Sequence, residues 1–452
     1  MQNLSSIVID SINDKLEWVQ NKCHKLVENS LILKNLDNII LFFIALVLVT
    51  SLFLPSEMIG IVAIAVICLT ILKLFLLKGQ KLELASCNLF LLIFLGFSIL
   101  SVVNSTMFKY SLMGLSKTLI YLGFYFSTLQ YFKHNKSKIV PILFLVAALA
   151  SVEGVIGIIQ NTMDLGNIST WQDTSYVNPE DVVSRIYGTL LPYNPNLLGG
   201  YLVVCFGTLL MTTFLAFESK HFKSFLISLI FMTITACTVF LTGCRGAYIA
   251  LFVMALGVVF ASWHLMKHNE KLKKYWQVAV STMLGLVVVV LAATPSVLKR
   301  ILSIFVMRQD SSTSFRMNVY NSSFQMFCDN CLLGIGTGNK TFREVYGLYM
   351  MSGFDALSCY CIYLEMAVES GIFALLAYLG FLFVILSSSL KTFLVETNLR
   401  KKIIVFSLFI SIVAVMVHGF VDTVYFRPQI QFVFWTVVSS LIVLIQSKEI
   451  PA

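Results

Sequence analysis

Long unbroken apolar stretches, separated by short polar ones, set the pattern of this chain. Runs of roughly 17 to 22 apolar residues, long enough to cross hydrocarbon as helices, begin near Ile39, Met58, Cys87, Leu112, Ile139, Leu197, Ser224, Ala247, Gln277, Gly371, Ile403 and Gln429. They are continuously apolar and do not alternate, and lipid leaves no partner for an unpaired backbone group, so helices are expected and a barrel is not. The fold class predicted is an all-α polytopic membrane protein with about twelve transmembrane helices. The first 36 residues are polar, with an amphipathic look around Leu16 to Leu26, and carry no cleavable apolar signal.

Composition agrees: 58% of the 452 residues are hydrophobic and 12% charged, which excludes an ordinary soluble core. The layout expected is a cytoplasmic segment 1–36, spans one to nine over 37–293 with an outer loop at 160–196, a large periplasmic loop at 294–360 between the ninth and tenth spans, spans ten to twelve over 361–446, and a cytoplasmic tail 447–452. With both termini inside, every cytoplasmic connection is basic, and these connections together with the two terminal segments hold 20 of the 32 Lys and Arg residues, whereas ten face outward. This is the orientation that the positive-inside rule favours, in a multi-pass inner (plasma) membrane.

The kind of basic residue changes the picture further. The outward ten are Lys109, Arg185, Arg245, Lys299, Arg300, Arg308, Arg316, Lys340, Arg343 and Arg427, while the inner face has only Arg400 among arginines. Guanidinium forks hold phosphate and carboxylate bidentately and stay charged when half buried, so an outer anion site is expected. For Arg300, Arg308 and Arg343, snorkelling or pairing with acids is an equally good reading.

Two outer segments are long enough to fold. The second contains an amphipathic stretch, Val297 to Met307, expected to lie along the membrane surface. A helix is expected over about Phe315 to Phe327, followed by Gly334-Ile-Gly-Thr-Gly-Asn339, a tight turn whose amides either meet an anion or simply form a loop. Cys328, Cys331, Cys359 and Cys361 lie here without a neighbouring histidine and read as structural cysteines, with no metal site expected. No cofactor is expected, nor a nucleic-acid partner.

Ionisable groups within spans are costly and therefore candidates. Lys117, Glu153, Glu365, Glu369, His418, Asp422 and Arg427 all fall toward the outer ends of their spans. That placement suits a lipid-borne head group better than a midplane transport site. Structural pairs, such as Lys117 with Glu153 or Asp422 with Arg427, are the alternative.

Several motifs, taken in order, carry a resemblance. Arg185-Ile-Tyr-Gly188, Asn194-Pro-Asn196-Leu-Leu-Gly-Gly200, Thr242-Gly-Cys-Arg245-Gly-Ala-Tyr248, Gly334-Ile-Gly-Thr-Gly-Asn339 and Leu364-Glu-Met-Ala-Val-Glu-Ser-Gly371 resemble the O-antigen ligase and polymerase superfamily. Within it, Ala356-Leu-Ser-Cys-Tyr-Cys361 and Asp422-Thr-Val-Tyr-Phe-Arg427-Pro428 look most like the cyanobacterial inorganic-carbon (bicarbonate) transporter branch, IctB. The superfamily implies metal-independent periplasmic transfer of a glycan from a polyprenyl-diphosphate carrier to an acceptor. It implies that Arg245, matching the arginine of a Ser-Arg-Gly motif, holds the diphosphate. From the residues themselves, Arg185, Asn194, Asn196, Arg316, Asp422 and Arg427 are the candidate substrate-binding positions. The ligases place a His-Asn pair before the Tyr-Leu that is here Tyr363-Leu364. This chain has Tyr360 and Cys361 instead, which leaves His418, Glu153 or Glu369 as candidate bases. The transporter branch implies an alternative in which bicarbonate or another small anion is drawn in by the same arginines. Membrane lipids are expected partners on either reading.

Overall fold

A computed structural model describes residues 2–165, 185–293 and 311–447. The amphipathic stretch Val297 to Met307, with Lys299 and Arg300, lies outside the described residues, as do Arg308, residues 166–184 of the first outer loop and 448–452 of the tail.

The regular elements are helical: α1 (Gln2–Asn29), α2 (Leu31–Lys34), α3 (Leu36–Thr50), α4 (Ser56–Leu76), α5 (Asn88–Asn104), α6 (Phe108–His134), α7 (Ile139–Thr162), α8 (Pro195–Glu218), α9 (Phe222–Leu241), α10 (Arg245–Met266), α11 (Glu270–Ala293), α12 (Ser311–Asp329), α13 (Asn339–Tyr346), α14 (Ile362–Val395), α15 (Leu399–His418) and α16 (Pro428–Gln446). Among the described residues eight helices are long and apolar enough to cross a membrane: α4, α7 to α10 and α14 to α16, the span at α7 counted from Lys136. The other four expected runs fall on helices outside that set. Of these, α3 and α5 are shorter apolar helices, while α6 carries Lys109, Lys117 and Lys133 and α11 opens on Glu270 with three lysines.

The bundle is built around α16, whose most apolar window is 94% buried, against 17% for α9 and α10 at the periphery. Proline at its first position starts the helix without losing a needed amide. Aromatic rings then lock its sides: Phe432 meets Tyr121 and Phe124 edge-on at 5.4 and 5.0 Å, and Trp435 meets Tyr125 at 4.8 Å. Where rings do not fill the gap, small residues bring backbones together, as membrane helices require. A Cβ on Gly207 of α8 would stand 2.3 Å from the Ser407 carbonyl of α15, and Ser411 of α15 donates to the Val204 carbonyl.

Helix α14 breaks at Gly371 (φ 81°, ψ 173°), a conformation open essentially to glycine alone. Polar backbone freed inside a bundle must find partners. The glycine-rich turn supplies them: Ile335 N donates to Val368 O at 2.9 Å and Gly336 N to Glu369 O at 3.1 Å, while Ile372 N donates to Cys331 O at 2.8 Å. Ser111 Oγ accepts from Thr337 N, and Glu369 takes the Gly338 amide. The turn's amides are therefore spent on the protein itself, which is the plain-loop reading of that motif. Its close approach to α6 leaves a Cβ on Gly114 only 2.3 Å from Thr337 O.

The segment after the described gap is held by α7. Glu153, fully buried, accepts from the Thr189 amide at 3.1 Å and from its hydroxyl, while Gln160 Oε1 accepts from the amides of Gly188 (2.9 Å) and Tyr187 (3.3 Å). Glu153→Ala would strand the Thr189 amide, while the Thr189 hydroxyl keeps the Leu52 carbonyl at 3.0 Å as acceptor, so a loss of about 1–3 kcal/mol is expected, read as a lowered Tm of the purified protein. An unchanged Tm would show that the clamp carries no stability.

A smaller apolar cluster, with Val319, Met326, Ile335, Phe342, Tyr346 and Cys359, ties α12 and α13 to the start of α14. All ten cysteines are free, Cys359 buried and Cys328 exposed.

Candidate functional site

The arginine-bearing segments meet at one end of the bundle, where α8, α10 and α16 begin and α9 and α15 end. Each start follows from local sequence. Asn194 caps α8, its side chain accepting from Asn196 N at 2.8 Å ahead of Pro195. Gly243 (φ 66°) turns the chain between α9 and α10, and Arg427 leads into Pro428. Three helix N-termini thus bring partial positive charge to the same end.

The centre is Asp422, which is buried. Its Oδ1 accepts from the amides of Thr423 (2.7 Å) and Val424 (3.1 Å). Its Oδ2 accepts from Asn196 Nδ2 at 2.9 Å and lies 3.9 Å from Arg316 Nη2. Asn196 passes the link on, because its Oδ1 accepts from Arg185 Nη2 at 2.6 Å, and Arg185 Nε donates to Thr242 O at 2.7 Å. Arg316 Nη1 donates to Val421 O at 3.0 Å, and its guanidinium stands 5.4 Å from the ring centre of Tyr360. Five segments spread over 240 residues of sequence are joined by this one chain of bonds.

Charge in the cluster is unbalanced. Burial pulls the pKa of Arg185 below its ordinary value; Cys244, Tyr248 and Asp422 counter this, and Arg316 adds to the lowering. Two guanidiniums are thus close enough to repel each other across one carboxylate, and Arg245, half-buried, opens α10 next to Cys244. Guanidinium stays protonated through such shifts, so Arg185 and Arg316 set two positive charges around the one Asp422 carboxylate. Burial raises the phenol pKa of Tyr360 while Arg316 draws it down. A phenol so raised is no general base near neutral pH.

His418 is buried between two glycine-lined helix starts: a Cβ on Gly246 would stand 2.8 Å from its Cδ2, and one on Gly200 3.3 Å from its Cε1. Its Nε2 is 3.4 Å from Cys244 Sγ. Cys244, His418 and Asp422 place ligand atoms within 4.8 Å of one another. These residues do not fit a cation, because both Asp422 oxygens already accept donors and two guanidiniums flank the group.

The structure therefore links Arg185 to Asp422 through Asn196 and sets Arg316 beside Asp422, with His418 and the start of α10 alongside. Asn194 serves as a helix cap. Glu153 is committed to Thr189, and neither it nor Lys117 forms the pair that sequence suggested. Glu369 faces the Gly338 amide and Lys117. Arg427 is exposed at the head of α16, and Asp422 turns to Asn196 and Arg316 instead of to it. Sequence reasoning missed the stacking of Tyr360 on Arg316 and the Cys244–His418 contact, for which spacing gives no signal.

Fold and site together define a class: a multi-pass helical membrane protein with a basic site at one end of its bundle. Over residues 227–379 the chain matches the family model described as O-antigen ligase, Wzy_C. That stretch takes in Arg245, Arg316 and Tyr360, but not Arg185, Asn196, His418 or Asp422. No curated protein matches the chain.

Proposed function

We propose that the protein transfers a glycan from a polyprenyl-diphosphate carrier to an acceptor hydroxyl at the outer face of the inner membrane. The observation that carries this reading is the cluster at Asp422, which brings Arg316 beside one carboxylate and ties Arg185 to it through Asn196 at the end of the bundle, where a lipid-borne diphosphate would arrive. In such a transfer the acceptor oxygen bonds to the sugar's anomeric carbon as the bond from that carbon to the diphosphate oxygen breaks, and negative charge grows on the diphosphate. On this reading Arg316, Arg185 and Arg245 are the groups that stabilise that charge. The anomeric centre needs one proton acceptor for the incoming hydroxyl. His418 is preferred over Glu153, which is occupied by Thr189.

The test is incubation of purified protein with a labelled polyprenyl-diphosphate glycan and acceptor. Release of free polyprenyl diphosphate in step with acceptor glycosylation is expected. His418→Gln should lower kcat about 100-fold with little change in KM, and an unaltered rate would remove His418 from the mechanism.

The break in α14 at Gly371 favours a second reading, since discontinuous helices often hold ions in transporters. On that reading the arginines gather bicarbonate or another small anion for passage inward. Labelled bicarbonate flux in proteoliposomes without carrier consumption would select it.

A further inference from the structure

At the opposite end of the bundle, helices α7 and α9 part. Near the site they touch through small residues: Thr238 Oγ1 donates to Gly154 O at 2.7 Å, and a Cβ on Gly157 would meet Thr238 Cγ2 at 2.4 Å. Toward their other ends α7, α8, α9 and α15 line a groove of about 630 Å³. Its walls are mainly apolar, with Phe144, Leu209, Ile227 and Phe231 among them. Phe144 and Ile227 are also exposed at the bundle surface, so the groove opens where lipid chains lie.

Its rim is polar and mostly basic. Arg400, Ser219 and His221 line that end, and Lys220 and Lys223 are exposed beside it. The Arg400 guanidinium donates to Ser219 Oγ at 3.3 Å and lies 3.7 Å from Glu218 Oε2, yet 44% of its side chain remains exposed. Three Lys and Arg residues against one acid suit a phosphodiester, and basic clefts between membrane helices bind anionic head groups. Arg400, set apart as the one arginine among the lysines of this end, has the planar fork that such a group takes bidentately.

We propose that this groove is a binding site for one anionic phospholipid of that leaflet, with an acyl chain between α7 and α9 and the phosphodiester at Arg400 and His221. The site lies at the far end of the bundle from Asp422 and stands independently of the glycan-transfer reading.

The test is native mass spectrometry of the delipidated full chain offered equal phosphatidylglycerol and phosphatidylcholine. Wild type should retain one phosphatidylglycerol, preferred about tenfold. Arg400→Gln should bring the preference near parity, and Ala148→Trp, at an exposed groove position, should remove retained lipid of both kinds. Should Arg400→Gln not fold, His221→Gln at the exposed rim must show the same loss of preference. Equal retention of the two lipids by wild type, or wild-type retention in the variants, overturns the proposal. Preferential displacement by a polyprenyl phosphate also overturns it and gives the groove to an isoprenoid.

Discussion

Arg316→Ala is expected to lower kcat for glycan transfer by about 100- to 1000-fold, the cost of losing one aimed donor to a developing oxyanion. Arg316 is the clean position for this test because it is only partly buried, bonded to Val421 O and stacked near Tyr360, so its removal leaves the bundle intact. Arg316→Lys keeps the charge but loses the planar fork, and should recover only part of the rate. Arg185 is more deeply embedded, joining Thr242 O to Asn196. Arg185→Ala should therefore reduce both transfer and stability. Steady-state kinetics with a labelled carrier separate these cases, and an Arg316→Ala enzyme as fast as wild type would contradict the role assigned to the guanidinium.

Gly371→Ala should prevent folding or cost about 3 kcal/mol or more. The residue combines a glycine-only conformation with a backbone neighbour that cannot move aside: an added Cβ would stand 2.2 Å from Leu332 O. The break it makes positions Glu369 O and Val368 O for the Gly334–Gly338 turn, so its loss would propagate to α12 and α13. Gly96→Ala is the control, since a Cβ there meets nothing within 4 Å. Monodisperse yield and Tm in detergent should fall sharply for the first variant and hold for the second. Equal values would mean that the break is not required.

The unbroken apolar runs made the helices legible, because hydrocarbon allows few alternatives for a long apolar run. The arginine bias made Arg185 and Arg316 legible as a group, and the structure links them through Asn196 and Asp422. Their connectivity was not legible, since Asn196 and Asp422 meet across 226 positions and no local period encodes such a contact. Glu153 looked like a free acid in a span, but its partner is Thr189, 36 residues away and past a long loop. The glycine-rich turn could be read from sequence either as an anion site or as a plain loop. Its amides go to Val368, Glu369 and Ser111 because the break at Gly371 exposes carbonyls that need them.

The most direct test of the central idea, that these guanidiniums hold a diphosphate, is equilibrium binding of polyprenyl diphosphate to the purified protein at several salt concentrations. Wild type should bind in a salt-sensitive manner, and affinity should fall at least tenfold in Arg316→Ala and further in the Arg185→Ala, Arg316→Ala double variant. Binding of the same strength with both guanidiniums removed would contradict the account.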